Sequence, residues 1–182
     1  MLHPLKKLSE EILNQNPWSS FRHDTYEKPN GKVGDYYYMQ SPGFVIVIPQ
    51  LPNGKFLLVK QYRYLHQQVG ISFPAGGIIR GTELVENAKR ELQEETGYIA
   101  KEWKYVGWVE PCVGLIKDRE HIFFASLDFQ EMALPDDTEE IEWLELSRQE
   151  VDEYIETGKI WCGQSISAWY RCRSFVLNNI SV

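Results

Sequence analysis

The sequence predicts a single domain of the α/β or α+β class, and three observations carry that reading. Runs of β-branched or alternating residues are interleaved with segments of helical periodicity, the pattern of strands packed under helices. One segment, residues 82–96, has both the apolar stripe and the end signals of a well-formed helix. The length, 182 residues, suits one domain with a real core and a small extension.

The elements follow in order. Residues 3–14 read as a short amphipathic helix, stopped at Asn16-Pro17. From Trp18 to Met39 the pattern becomes a strand, a turn at Pro29-Asn30-Gly31-Lys32 and a second strand through Asp35 to Met39. Phe44-Val45-Ile46-Val47-Ile48, bounded by Pro42-Gly43 and Pro49, reads as a buried strand. Pro52-Asn53-Gly54 then turns the chain into residues 55–62, closing a hairpin. Between Thr82 and Thr96, Leu84, Ala88 and Leu92 recur at every fourth position with Val85 beside them. Thr82 is the expected N-cap, Glu83 suits the first turn and Gly97 is the expected stop. Strands are expected at 103–109, 121–127 and 141–146. A helix is expected over 147–157, ended by Gly158, and a last one over 164–177. Residues 1–40 are expected to form an N-terminal helix and β extension, and 41–182 the main domain.

Composition removes several function classes. The net charge is −7 with no dense Lys/Arg tract, which argues against a protein that grips nucleic acid by neutralising its phosphates. A small phosphate ligand stays possible, because bound cations reverse a local acidic field. Cys112, Cys162 and Cys172 form no CxxC, so reduced thiols are expected, and His3, His23, His66 and His121 lack zinc-ligand spacing. The N-terminus is broken by charges and the longest apolar run is Phe44 to Ile48. No signal peptide and no membrane partner are therefore expected, and the expected location is the cytoplasm. Trp18, Phe21, Tyr26 and Tyr36 to Tyr38 are placed to fill a core, or to pack an interface or stack on a base.

The chemistry concentrates in Arg90-Glu91-Leu92-Gln93-Glu94-Glu95-Thr96-Gly97-Tyr98. Spacings of three and four put the carboxylates of Glu91, Glu94 and Glu95 on one helix face. Like charges so placed weaken a free helix by roughly a few tenths of a kcal/mol per pair, and a hard cation with oxygen ligands removes that repulsion. Arg90 stands four residues from both Glu86 and Glu94 and is placed to pair with either. A Glu-rich face alone is most often merely solvated. Here Phe73-Pro74-Ala75-Gly76-Gly77 lies just upstream, a loop of small residues that lets backbone approach a ligand closely.

These residues resemble the Nudix box, G-x5-E-x7-R-E-U-x-E-E-x-G-U, with U an apolar residue. Gly76 is followed by five residues, Thr82, seven residues and Arg90 to Tyr98. Thr82 replaces the first Glu, and Tyr98 fills the last apolar place. Asn30-Gly31-Lys32, Ser41-Pro42-Gly43, Val59-Lys60-Gln61-Tyr62-Arg63 and Phe73-Pro74-Ala75-Gly76 look like the ADP-ribose and NDP-sugar pyrophosphatase branch, so the resemblance spans roughly residues 18–177. Ser72 stands where that branch usually has Glu, and Pro111-Cys112-Val113-Gly114 replaces a Ser-Pro-Gly-like loop.

The resemblance implies the Nudix fold, mixed sheets sandwiched between helices. It implies Mg2+-dependent, or Mn2+-dependent, cleavage of a nucleotide-sugar diphosphate. Glu91 and Glu95 would be the direct ligands, with Glu94 close by and the Ala75 carbonyl as a further one. Glu139 maps best to the general base, with Glu140 and Asp137 as rivals. Gln61, Tyr62, Arg63, Gly76 and Gly77 are the expected substrate contacts. Arg63 is suited to phosphate, to a stacked base, or to a plain surface role. A homodimer is expected, whose exchanged N-terminal strands bring Trp18 and Tyr36 to the base. Alternatives within the resemblance are a nucleoside-triphosphate or dinucleotide pyrophosphatase, or a non-catalytic nucleotide sensor, which would not need the whole of Arg90, Glu91, Glu94 and Glu95.

Overall fold

A computed structural model describes residues 3–132 and 140–179 of the chain. The chain divides into two compact units, the first made of residues 1–42 and 110–119, the second of 43–109 and 120–182. The sequence boundary at residue 40 leaves 110–119 with the main domain. In the structure that stretch joins the N-terminal sheet through a parallel pairing that no local pattern announces.

The first unit is a four-stranded sheet in the order β1 (Lys6–Gln15), β2 (Ser20–Glu27), β3 (Val33–Gln40), β9 (Ile116–Lys117). The expected helix over 3–14 is absent; that segment is β1, antiparallel to β2. Leu5, Leu8 and Ile12 have helical spacing, but cross-strand pairs decide the outcome. Lys7 Nζ lies 2.9 Å from Asp24 Oδ2, Ser9 and Thr25 hydroxyls are 2.6 Å apart, and Arg22 pairs with Glu10. The turn before β3 is the expected one, with Gly31 at φ 76°. β9 is fixed by Ile116 beside Met39 and by the Met39 N–H donating to the Leu115 carbonyl at 3.0 Å.

The second unit is built on a sheet in the order β11 (Ile141–Leu146), β5 (Phe56–Arg63), β4 (Phe44–Gln50), β10 (Glu120–Met132), β8 (Tyr98–Val109). Short β6 (Gln68–Ser72) pairs with β5, and β7 (Ala75–Gly77) with β4. β4 explains the layering. Its period of two sends Ile46 and Ile48 to one face and Val45 and Val47 to the other, and all four are at most 1% exposed. Ile46 and Ile48 join a core with Phe56, Phe73, Ile160 and Trp169 under α2 (Arg148–Glu156) and α3 (Gly163–Asn179). Val45 and Val47 join Leu57, Phe123 and Leu127 under α1 (Leu84–Thr96). This is the mixed α/β sandwich that the sequence predicts.

Two anchors complete the frame. Trp169 is fully buried, meets Phe56 edge-on at 4.8 Å and donates from its indole nitrogen to Asp152 at 2.8 Å. α2 begins with a capping box between Ser147 and Glu150. No helix among the described residues is long and apolar enough to cross a membrane.

Candidate active site

α1 positions the site through its apolar stripe. Ala88 and Leu92 are fully buried against the sheet, with Leu84 and Val85 partly so. The helix ends as expected: Gly97 is left-handed at φ 73° and its N–H donates to the Gln93 carbonyl at 2.8 Å. Its start differs. The N-cap is Glu83 rather than Thr82, and no side chain caps it from outside.

Asn87 performs the tying role from within the helix, a residue for which the sequence carried no separate signal. It is fully buried. Its amide oxygen accepts from the Ile79 N–H at 2.9 Å, and its amide nitrogen donates to the carbonyls of Glu83 at 2.9 Å and Thr82 at 3.3 Å. One side chain thus welds the loop before α1 to its first turn. Asn87→Ala leaves these buried groups unsatisfied and is expected to cost about 3 kcal/mol, read as a lower midpoint in urea unfolding.

Glu91 and Glu95, each 8% exposed, sit on the side of α1 that faces the β7 loop. β7 is held by antiparallel pairing to β4, Gly77 to Phe44, Gly76 to Val45 and Ala75 to Ile46. The fit is close. A Cβ on Gly76 would lie 2.0–2.2 Å from the Glu91 carboxyl atoms, so any larger residue there would displace the carboxylate or the loop. The Ala75 N–H donates to Glu95 Oε2 at 3.3 Å. Glu95 is also fixed by its backbone, whose carbonyl accepts from the Trp143 indole at 3.0 Å. On the other side of the loop, the Phe73 N–H donates to the buried Ser165 hydroxyl at 3.0 Å.

Arg90 pairs with Glu94 and not Glu86: Nη1 is 2.6 Å from Glu94 Oε2, and Glu86 is taken by Lys89 at 2.7 Å. Its Nη2 donates to Glu91 Oε1 at 2.5 Å and to the Gly77 carbonyl at 3.1 Å. Arg90 therefore braces Glu91 against the loop. Glu94 stays exposed on the outer flank, so of the three carboxylates expected on one face the structure brings two to the loop.

A divalent cation fits this junction. Among the described residues no three His, Cys, Asp or Glu side chains converge as a closed metal cage. Two carboxylates beside a glycine loop are nevertheless the donor set of an ion such as Mg2+, which takes one or two protein carboxylates and completes its shell with phosphate oxygens and water.

A cleft of about 430 Å3 opens beside the loop, lined by Ala75, Gly76, Arg63, Ser72, Phe73 and others. Arg63 Nη2 donates to the Ser72 hydroxyl at 2.9 Å, and no carboxylate pairs with this guanidinium among the described residues. Tyr62 faces away, 58% exposed, as strand alternation requires, and neither Gln61 nor Gly77 lines the cleft. Glu140 is exposed just before β11; Glu139 and Asp137 lie outside the described residues. Trp18 and Tyr36 belong to the first unit. There Tyr36 lines a separate cavity of about 480 Å3 with Lys7, Asp24, Tyr38, Glu110 and Lys117, while Trp18 is 77% exposed.

The fold brings the carboxylates of Glu91 and Glu95 to the glycine loop, and the cleft beside that loop holds the Arg63 guanidinium, which no carboxylate pairs among the described residues. Residues 39–160 match the NUDIX domain, and the chain belongs to the Nudix family. Residues 5–39 match the nucleoside diphosphate sugar hydrolase N-terminal domain. The ADP-ribose pyrophosphatase of Bacillus subtilis (strain 168) is 30% identical over 137 residues, 74% of each chain. The methanol dehydrogenase activator of Bacillus methanolicus is 29% identical over 147 residues, 80% of each. A crystal structure of an ADP compounds hydrolase shares the fold with a TM-score of 0.85 at 19% identity, covering 100% of this chain and 99% of that one.

Proposed function

We propose that the protein hydrolyses the diphosphate bond of ADP-ribose or a related nucleoside diphosphate sugar, releasing a nucleoside monophosphate and a sugar phosphate. The observation that carries this reading is the close approach of the Gly76 backbone to the Glu91 carboxylate, which puts loop and helix oxygens at one junction. The family match over 39–160, the sugar-hydrolase match over 5–39 and the Bacillus subtilis relative support the same substrate class.

Glu91 and Glu95, with the Ala75 carbonyl, would hold magnesium or manganese. When bound, such an ion screens the diphosphate charge and lowers the pKa of a coordinated water. Arg90 keeps Glu91 turned to the loop through its 2.5 Å contact. Arg63, oriented by Ser72, binds a phosphate oxygen and withdraws charge as the bond breaks. Water attacks phosphorus, the bond to the bridging oxygen breaks, and the water's proton passes to a carboxylate of the acidic loop before β11. Glu139 is the first candidate for that base and Glu140 the second. A cytoplasmic location is part of the same proposal.

The working form is proposed to be a homodimer. β1 is an edge strand exposed along its whole length, and Leu8, Ile12 and Leu13 are 44–48% exposed on it. An edge of that kind is a liability unless a partner covers it. Tyr36 and Trp18 of such a sheet would supply aromatic surface for the base. Light scattering at micromolar concentration is expected to give twice the 21.3 kDa chain mass, and a monomer would remove this part of the proposal.

The activity is tested with ADP-ribose, GDP-mannose, UDP-glucose, NADH and dNTPs, each with magnesium and again with EDTA. Magnesium-dependent nucleoside monophosphate release, fastest from ADP-ribose or an NDP-sugar, is the expected result. Faster cleavage of dNTPs would assign the site to another substrate class, and no cleavage of any would make the domain a binder.

A further inference from the structure

The cleft beside Gly76 is lined also by Trp161, from the segment between α2 and α3, and by His66, from the 3₁₀ turn after β5. These residues stand 95 positions apart, and neither has a role in the reading above. Gly70, on β6, brings the indole to Arg63. It is buried, and a Cβ there would lie 3.0 Å from Trp161 Cζ2 and 3.1 Å from Arg63 Cγ. The indole and the stem of Arg63 therefore both lie against Gly70, in the cleft that a phosphate on Arg63 would enter.

Three features define the group joined to that phosphate. Among the described residues lining the cleft, Arg63 is the only Lys, Arg, Asp or Glu, so beyond the guanidinium the space suits a neutral moiety. The rings of Trp161 and His66 meet at 4.9 Å with an interplanar angle of 70°. They touch edge to face, so this pair forms a corner and not a parallel slot for a flat base. A puckered ring fits a corner better, with its C–H face on the indole and its hydroxyls toward polar groups such as the Gln164 amide, which also lines the cleft.

We propose that Trp161, squared against His66, is the specificity-determining platform for the sugar ring attached to the diphosphate, a pentose or hexose rather than the base. The proposal rests on the function argued above and names which half of the substrate this cleft takes.

The test compares wild type, Trp161→Ala and Trp161→Phe on ADP-ribose and on the β-methyl ester of ADP, which keeps the adenosine and the diphosphate but lacks the distal sugar. Trp161→Ala is expected to raise KM for ADP-ribose about tenfold with little change in kcat, and to leave the methyl ester unaffected. Trp161→Phe is expected to restore most of the affinity, and equal melting temperatures exclude misfolding as the cause. In calorimetry, ribose 5-phosphate is expected to bind wild type about tenfold more tightly than Trp161→Ala. Equal losses on both esters, a changed preference between ADP-ribose and GDP-ribose, or equal ribose 5-phosphate affinities would overturn the assignment. A wild type inactive on every nucleoside diphosphate sugar refutes the proposed function instead, and the ribose 5-phosphate titration still decides the role of Trp161.

Discussion

Glu95→Gln is expected to lower kcat for nucleoside monophosphate release by roughly a thousandfold, about 4 kcal/mol of barrier, at saturating substrate and magnesium. The amide has nearly the volume of the carboxylate and still offers an oxygen to the Ala75 N–H, now 3.3 Å from Oε2. The Trp143 indole bond to the Glu95 carbonyl is untouched, because it uses the backbone. Packing therefore survives while the negative charge that a cation needs is lost. Thermal melting should move little. Unchanged turnover in a correctly folded variant would take Glu95 out of the reaction.

Gly76→Ala tests the same junction from the loop side. Its methyl group would stand 2.0 Å from the Glu91 carboxyl carbon, far inside any tolerable contact, and Glu91 has little freedom to yield. Arg90 braces it, and its helix is locked by buried Ala88 and Leu92. Either the carboxylate swings away or β7 shifts on β4, and a displacement of about 1 Å at a reacting site costs roughly 100-fold in rate. The expected result is a fall of that size in kcat/KM, with a stability loss of about 1–2 kcal/mol from overpacking. Gly77→Ala is the control. A Cβ there meets nothing within 4 Å, so its effect should be far smaller. Similar losses at both positions would mean that loop flexibility, not the Glu91 contact, matters.

Part of this arrangement is legible in the chain itself. α1 is readable because an apolar period of about four and the Gly97 stop agree, and β11 falls at the expected 141–146. β1 is misread because Leu5, Leu8 and Ile12 mimic a helix face, while its partners Asp24, Thr25 and Arg22 lie on a strand that local periodicity does not weigh. The N-cap is displaced from Thr82 because Asn87 binds the loop from inside the helix, and a mid-helix Asn carries no capping signature. The carboxylate cluster is visible as a spacing, but the division of labour within it is not. Glu91 and Glu95 meet the loop and Glu94 meets Arg90 only once the helix is rotated onto the sheet by its buried stripe. Trp161 and His66 come together through the packing of the α2–α3 connection on the β5–β6 hairpin, a long-range contact that no motif records.

The central claim is that helix carboxylates gather a divalent ion that grips a diphosphate beside Gly76. A crystal grown with manganese and a non-hydrolysable ADP-ribose analogue measures this directly, through the anomalous scattering of the metal. The account predicts anomalous density contacting Glu91, Glu95 and the analogue's phosphate oxygens. A diphosphate bound elsewhere, with both carboxylates free of metal, would contradict it.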